Sequence, residues 1–225
     1  MSALFITGTG TGIGKTFVTA GLIRHLRGLG REVSALKPVI SGFDRENPAT
    51  SDSGVLLRAL GEEITQPALN RLSPWRFAAP LSPDMAGARE NREIDFDVLV
   101  GYCEQAMKQG EHLFIEGVGG VMVPLDGRHT VLDWIAALRQ PTLLVTGSYL
   151  GAISHTLTAA ECLARRKIPP RGIVISETGD GAVPVADTIA TLKRFLPRVA
   201  IATIPRVGHF DDARENFAAL WDAIG

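Results

Sequence analysis

Cysteine is scarce: Cys103 and Cys162 stand far apart and outside any CxxC spacing. That argues against a disulfide scaffold and against a zinc site. Both fall in patterns that read as amphipathic helices, so two reduced, buried thiols are expected. Long hydrophobic runs are missing too, and none approaches the ~18 apolar residues of a membrane-spanning helix. The first residues enter a strand pattern with no basic segment or long apolar stretch before it. With no export signal of that kind, a soluble cytoplasmic protein is expected. Nor is either charge in excess, because 23 Lys+Arg stand against 24 Asp+Glu, for a net charge of −1. No global basic field points to nucleic acid or to an anionic membrane. There are no internal repeats or low-complexity tracts.

What is present is ordinary apolar material in a telling order. Hydrophobic residues make up 45% of the chain and charged residues 21%, which is enough for a sizeable core. A length of 225 residues suits one α/β domain or two small ones; we read one, spanning 1–225. Short continuous apolar runs recur: ALFIT (3–7), VSALKPV (33–39), HLFIEGV (112–118), TLLVT (142–146), GIVIS (172–176) and VAIATIP (199–205). Continuous rather than alternating runs are what strands covered on both faces look like, so a parallel sheet is expected. Helical patterns fit 15–28, 95–109, 131–139, 152–166, 183–196 and 211–224. Alternating strands and helices imply right-handed crossovers and a doubly wound, mainly parallel sheet flanked by helices. Residues 41–91 break this rhythm. They are rich in Pro, Ser, Asn and Gly, with a short helix near Gly54–Leu60, and FAAPLSP (77–83) cannot be a regular helix. We read them as a long functional excursion within the domain.

The run GTGTGIGKT, from Gly8 to Thr16, follows the first strand and opens the first helix. The dinucleotide fingerprint G-x-G-x-x-G fails on it, and so does the strict G-x-x-x-x-G-K-[ST], by one residue. What stands is G-x5-G-K-T, a phosphate loop one residue longer. Its backbone N–H groups and the helix N-terminus would converge on phosphate oxygens. Lys15 can reach the β and γ phosphates, and the Thr16 hydroxyl can hold Mg²⁺. A tight Gly-rich turn with no ligand is the plainer alternative, and the strand, glycines, Lys and Thr together weigh against it.

In open α/β sheets ligands collect at the carboxyl ends of the strands, so the polar residues there belong together. LKPVISG sets Lys37 and Ser41 beside the loop, where a Lys entering an apolar segment needs a negative group to meet it; a Lys that snorkels to the surface is the lesser alternative. Glu116, inside an apolar run before Gly117, Gly119 and Gly120, suits Mg²⁺, or is an ordinary strand end. Asp52 in TSDSG is a second carboxylate, or simply a helix N-cap. In LGAISHTLT the helix N-terminus at Gly151–Ser154 could hold a substrate carboxylate, while His155 reads best as a packed or solvent-facing helix residue.

Taken together these segments resemble the dethiobiotin synthetase family. GTGTGIGKT, KPVISG, TSDSG, FAAPLSP, EGVGG and LGAISHTLT occur in the family's order and spacing over nearly the whole chain. The resemblance implies a P-loop NTPase-like fold and a homodimer. It also implies a ligase that makes dethiobiotin from 7,8-diaminopelargonate, CO₂ and ATP or another nucleoside triphosphate, with Mg²⁺. Lys15 and Lys37 would be catalytic, and Thr16, Asp52 and Glu116 would hold the metal. The nucleotide site would take in Gly12, Ile13, Gly14, Lys15, Thr16, Phe17, Asp52, Glu116, Gly117, Val118, Gly119, Ser176, Glu177, Pro205, Arg206 and Val207. The substrate site would comprise Thr11, Lys37, Ser41, Gly120, Gly151, Ala152, Ile153 and Ser154. The family often has acidic residues at Gly10 and Gly12, Asn-Asp at Ser176-Glu177 and Asn at Ser154. The nucleotide base is therefore left open. The competing class is a switch ATPase of the partitioning and cell-division type. Those proteins carry a Lys after the loop's first Gly, where this chain has Thr9.

Overall fold

A computed structural model describes residues 2–179 and 183–224. Six parallel strands form the central sheet: β1 (Ser2–Gly8), β2 (Val33–Leu36), β5 (His112–Glu116), β6 (Thr142–Gly147), β7 (Gly172–Ser176) and β8 (Ala200–Ile204), in the order β2-β5-β1-β6-β7-β8. The chain leaves β1 toward β2 and later returns past it to β6. The reversal therefore lies beside β1, and the crevice that α/β sheets use for ligands opens where the phosphate loop leaves that strand.

The helices cover both faces, as the continuous apolar strands require. On one face α1 (Lys15–Gly28), α2 (Asp52–Leu60) and α9 (Arg214–Ile224) pack through Leu22, Leu26, Leu56, Phe217 and Leu220. On the other, α5 (Phe96–Ala106), α6 (Val131–Leu138) and α7 (Ala152–Arg165) pack through Leu99, Trp134, Ile135 and Leu163. Trp134 meets Phe5 of the central strand edge to face, with ring centroids 4.9 Å apart. Pairs of that geometry add about 1 kcal/mol beyond their buried area. The remaining helix of the layers, α8 (Val185–Phe195), precedes β8.

The excursion is more ordered than its composition suggests. Val39–Ser41 (β3) and Trp75–Phe77 (β4) form a two-stranded parallel sheet, with α2 and α3 (Gln66–Leu72) in the crossover and α4 (Pro83–Arg89) after it. The run 33–39 is thus two strands, broken at Lys37-Pro38, because proline cannot donate to a ladder. Phe77 ends β4, and the rest of FAAPLSP stays outside regular structure until Pro83 takes the first position of α4, where a missing N–H costs nothing. The last helix pattern begins with a 3₁₀ turn, Phe210–Ala213, before α9.

The return from the glycine loop after β5 into α6 is pinned by a reciprocal cap. The Asp133 N–H donates to Thr130 Oγ1, and the Thr130 N–H donates to Asp133 Oδ2 at 2.9 Å. Burial pushes the Asp133 carboxyl up, but the bonds from Thr130 and the nearby Arg166 outweigh it, so its pKa lies below the usual carboxylate value. A depressed folded value adds stability above the unfolded pKa, and that stability is lost as pH falls through the folded one. Thr130→Ala should therefore cost about 1 kcal/mol near neutral pH. The deficit should shrink below pH 3.8, as urea unfolding at a series of pH values would show.

Of the two thiols, Cys103 is fully buried and Cys162 only partly so. Burial pushes the Cys103 thiol up to about 12. The thiolate is the nucleophile, so iodoacetamide should alkylate Cys162 at least about a hundredfold faster than Cys103. Peptide mass analysis of the native and urea-unfolded chain would check this.

Candidate functional site

The loop owes its shape to two glycines. Gly12 and Gly14 sit at φ 71° and 92°, in the left-handed region that side chains disfavour. Gly14 is the N-cap of α1 and offers no side chain to it, so the first N–H groups of the helix are left to an anion. The Thr9 N–H donates to Val145 O at 2.9 Å, which ties the loop to β6.

Lys15 begins α1 and curls back to donate from Nζ to Gly10 O at 2.6 Å. Burial, then the charge of Lys37, lowers its pKa to about 8. It is a cation held beside another cation, in want of a negative partner.

Lys37 lies in the break between β2 and β3, at the carboxyl end of the sheet. Its side chain is only 3% exposed, so snorkelling is excluded. Its Nζ donates to Glu116 Oε1 at 2.7 Å and to Gly117 O at 2.9 Å, and pairs with Asp52 Oδ2 at 3.1 Å. Burial alone would lower its pKa, but Glu116 and Asp52 outweigh that and hold it above the ordinary lysine value. Lys37 likewise overrides burial at Asp52 and keeps that carboxyl low. Asp52 is not the cap of α2; Ser51 caps the helix by accepting from the Gly54 N–H. Asp52 is thereby left facing the cleft.

Thr16 donates from Oγ1 to Glu116 Oε1 at 2.7 Å. Glu116 is fully buried at the end of β5, and its Oε2 has no hydrogen-bond partner among the described residues. That unused carboxylate oxygen, the Thr16 hydroxyl and the Asp52 carboxylate form a set of hard oxygen donors that fits Mg²⁺. No cluster of three or more His, Cys, Asp and Glu residues suited to a metal occurs among the described residues, so no histidine- or thiolate-rich centre competes with it.

Lys15, Thr16, Lys37 and Asp52 open on a cleft of about 580 Å³, while the fully buried Glu116, expected in the site, is not part of its lining. Thr11, Gly12, Gly14, Lys15, Thr16, Phe17, Lys37, Ser41, Asp52, Val118 and Gly119 line it as the sequence suggests. Ser41 Oγ is buried without a partner there. The sequence reading missed Ile40 and Val123, and it noted the segment of Pro80, Leu81, Ser82 and Pro83 without placing it in the site. The two prolines of FAAPLSP were the available signal.

Other expected residues stand elsewhere. The Ile13 side chain is buried in the core against Gly8, so only its backbone faces a ligand. Gly117 and Gly120 do not line the cleft. A Cβ on Gly117 would lie 3.0 Å from the Phe5 ring, and one on Gly120 3.2 Å from Thr9 O. Their small size thus serves packing within the chain as well as any approach to a ligand. Ser176 lies beneath the loop, 2.4 Å from where a Gly14 Cβ would be. Glu177 meets the backbone after β8: its N–H donates to Ile204 O at 3.0 Å, and its Oε2 accepts weakly from the Arg206 N–H. Pro205, Arg206 and Val207 are therefore grouped with Ser176 and Glu177 beside the cleft rather than in it.

Gly151, Ala152, Ile153 and Ser154 also lie outside the cleft lining. Gly151 caps α7 at φ 98° with no side-chain bond, but the Ala152 N–H is already taken by Tyr149 O at 3.1 Å. Hydroxyls connect this end to the phosphate loop: Thr9 donates to Thr146 Oγ1 at 3.3 Å, and Thr146 Oγ1 lies 2.9 Å from that of Thr156, whose own proton goes to Ala152 O at 2.6 Å. His155 is oriented, against expectation, by the Tyr149 hydroxyl at 2.8 Å.

Comparison with known proteins narrows the meaning of this geometry. A family model described as "AAA domain" matches residues 2–214. In overall shape the chain is similar to the MinC:MinD cell division protein complex of Aquifex aeolicus, with a TM-score of 0.58 and 14% identity over 99% of this chain and 88% of that one. It is also similar to the hydrogenase maturation factor HypB of Archaeoglobus fulgidus, with a TM-score of 0.54 and 16% identity over 100% and 91%. At such low identity these likenesses establish the P-loop NTPase fold and nothing finer. In sequence the chain is 50% identical to the ATP-dependent dethiobiotin synthetase BioD of Acidiphilium cryptum, over 99% of both chains. It is 42% identical to that of Phenylobacterium zucineum, over 93% of this chain and 91% of the other. With the extended phosphate loop, the buried lysine and its two carboxylates all in place, the chain belongs to the ATP-dependent dethiobiotin synthetase family.

Proposed function

We propose that the cleft forms the cyclic urea of dethiobiotin from 7,8-diaminopelargonate, CO₂ and ATP, in a cytoplasmic, single-domain enzyme. The observation that carries this reading is the buried Lys37, held between Glu116 and Asp52 beside Lys15. One amine of the diamine captures CO₂ as a carbamate. A carbamate oxygen attacks the γ-phosphorus and ADP leaves. The second amine then attacks the carbamoyl carbon, the ring closes and phosphate departs. Phosphoryl transfer needs positioning and charge neutralisation more than covalent help. Lys15 and Lys37 would supply that charge, the first across the phosphates and the second between γ-phosphate and carbamate. Thr11 and Ser41 would bond the diamine or carbamate end. Thr16, Asp52 and Glu116 would hold Mg²⁺, which when bound would neutralise phosphate oxygens.

We also propose a homodimer, with the N-terminus of α7 taking the substrate's carboxylate at the interface. Leu150, 81% exposed just before that helix, supports an occluding partner there. The switch-ATPase alternative loses its signature lysine, since Thr9 stands in that position.

The test mixes the protein with diaminopelargonate, bicarbonate, Mg²⁺ and ATP. Dethiobiotin should appear by mass, and phosphate release should depend on the diamine. Phosphate release indifferent to the diamine would overturn the reading in favour of a switch ATPase.

The choice of base should be shallow. Ser176-Glu177 lacks the amide that both donates and accepts along an adenine edge. Values of kcat/KM for ATP, CTP and GTP should therefore fall within about a hundredfold of one another. A steeper preference for ATP would move base reading to other groups, such as the Pro205–Val207 backbone.

A further inference from the structure

A second cleft, of about 480 Å³, shares no lining residue with the first and is bordered by Arg45, Arg76 and Arg92 around the Phe43 ring. None of the side chains lining it is acidic. Arg76 is held in place from behind: it donates to Leu69 O at 2.7 Å, to Ser73 O, and to Asn70 Oδ1 at 2.7 Å. Its guanidinium lies 5.3 Å from the centre of the Phe43 ring. Arg92 donates to Arg76 O at 2.9 Å and to Glu90 at 3.0 Å. Arg45 meets no carboxylate at ion-pair distance among the described residues. Its neighbour Asp44 turns instead to the N–H groups of Glu46 and Asn47. Three guanidinium groups thus face one concavity with Glu90 as the counter-charge on one of them. Burial, then the charges of Arg45 and Arg92, lowers the pKa of Arg76 below the ordinary guanidinium value. Like charges gathered in a partly desolvated place repel unless an anion joins them, and planar guanidinium forks match carboxylate and phosphate oxygens in pairs.

We propose that this cleft binds a small anion bearing phosphate or carboxylate groups, with Arg45, Arg76 and Arg92 as its ligands. The Phe43 ring supplies an apolar floor for the body of such a molecule. The site lies on the excursion and the residue that follows it; it begins at Phe43, two residues beyond Ser41 of the reaction cleft, and shares no lining with the phosphate loop.

The experiment is calorimetric titration of the full chain with inorganic phosphate and, separately, with citrate. Ionic strength is held constant, and the reaction cleft is saturated with a non-hydrolysable ATP analogue and Mg²⁺. The two titrants distinguish phosphate from carboxylate as the preferred group. Binding of at least one, weakened about tenfold by Arg45→Ala and further by Arg45→Glu, is expected. Arg45→Ala should still make dethiobiotin at the unaltered rate when neither anion is added. That measurement separates failure of this site from failure of the fold or of the proposed reaction. No binding by either anion up to about 10 mM would overturn the proposal. So would binding that survives Arg45→Glu, or binding abolished by Lys15→Ala, which would assign the anion to the phosphate loop.

Discussion

Alanine at position 37 is expected to lower turnover at saturating ATP by at least about a hundredfold, as losing a charge aimed at a reacting oxyanion does. Affinity for the triphosphate should change by less than about tenfold, because Lys15 and the N-terminus of α1 would still hold it. Dethiobiotin formation measures the first effect, and calorimetry with an ATP analogue the second. Near-normal turnover would remove Lys37 from the chemistry. The substitution also acts on stability. Lys37 is the cation facing a fully buried Glu116, and removing one partner of a buried pair costs about 3–5 kcal/mol. Assays must therefore be run well below the unfolding midpoint of the variant. A double-mutant cycle isolates that structural component. Lys37→Ala and Glu116→Gln should each destabilise the chain, and together should cost less than their sum, since neither then leaves a lone buried charge. If the two losses simply add in urea unfolding, the ion pair is not what holds this end of the sheet.

How much of this was legible before any coordinates depends on what each residue's role rests upon. The long periodic elements were: the helix expected at 15–28 is α1, and the strand at 172–176 is β7, with the same boundaries. Their signals lie within a few turns or pleats of their own sequence. β3 and β4, at three residues each, are too short to show a period, and their pairing spans the crossover between them. The meeting of Lys37 with Glu116 is a contact across 79 positions. It follows from β2 lying beside β5 rather than beside β1. Strand ends can be found in sequence, but their lateral order cannot, so the two residues could be grouped at one end of the sheet while their direct contact could not be read. Asp52 shows the same limit on a smaller scale. In a Ser- and Asp-rich stretch its local chemistry taken alone favours a cap, and only the bond from the Gly54 N–H to Ser51 frees it for the cleft. Two of the second cleft's arginines lie in separate parts of the excursion and Arg92 just after it, and nothing local to any of them announces the other two.

Gly14→Ala is expected to damage the nucleotide site more than any other single methyl added to the loop. Two independent costs fall on it. At φ 92° an L side chain is strained by about 1–2 kcal/mol. The new Cβ would also lie 2.4 Å from Ser176 Oγ and 3.1 Å from Ser176 Cβ. Rotation of the hydroxyl relieves the first contact and leaves the second, so the N-terminus of α1 must shift away from β7. That shift moves the N–H groups that face the phosphates. Together the two costs predict a loss of triphosphate affinity of about a hundredfold or more, with a smaller loss in kcat once the nucleotide is bound. Gly10→Ala is the matched control, because a Cβ there meets nothing within 4 Å and its φ is not positive. It should change affinity by less than about threefold. Ser176→Gly in the Gly14→Ala background separates the two costs. Removing the serine side chain relieves the contact and leaves the backbone strain, so roughly half of the lost binding free energy should return. Calorimetry with an ATP analogue on the four proteins would show it. No recovery at all would mean that strain alone sets the requirement for glycine, and full recovery that packing against β7 does.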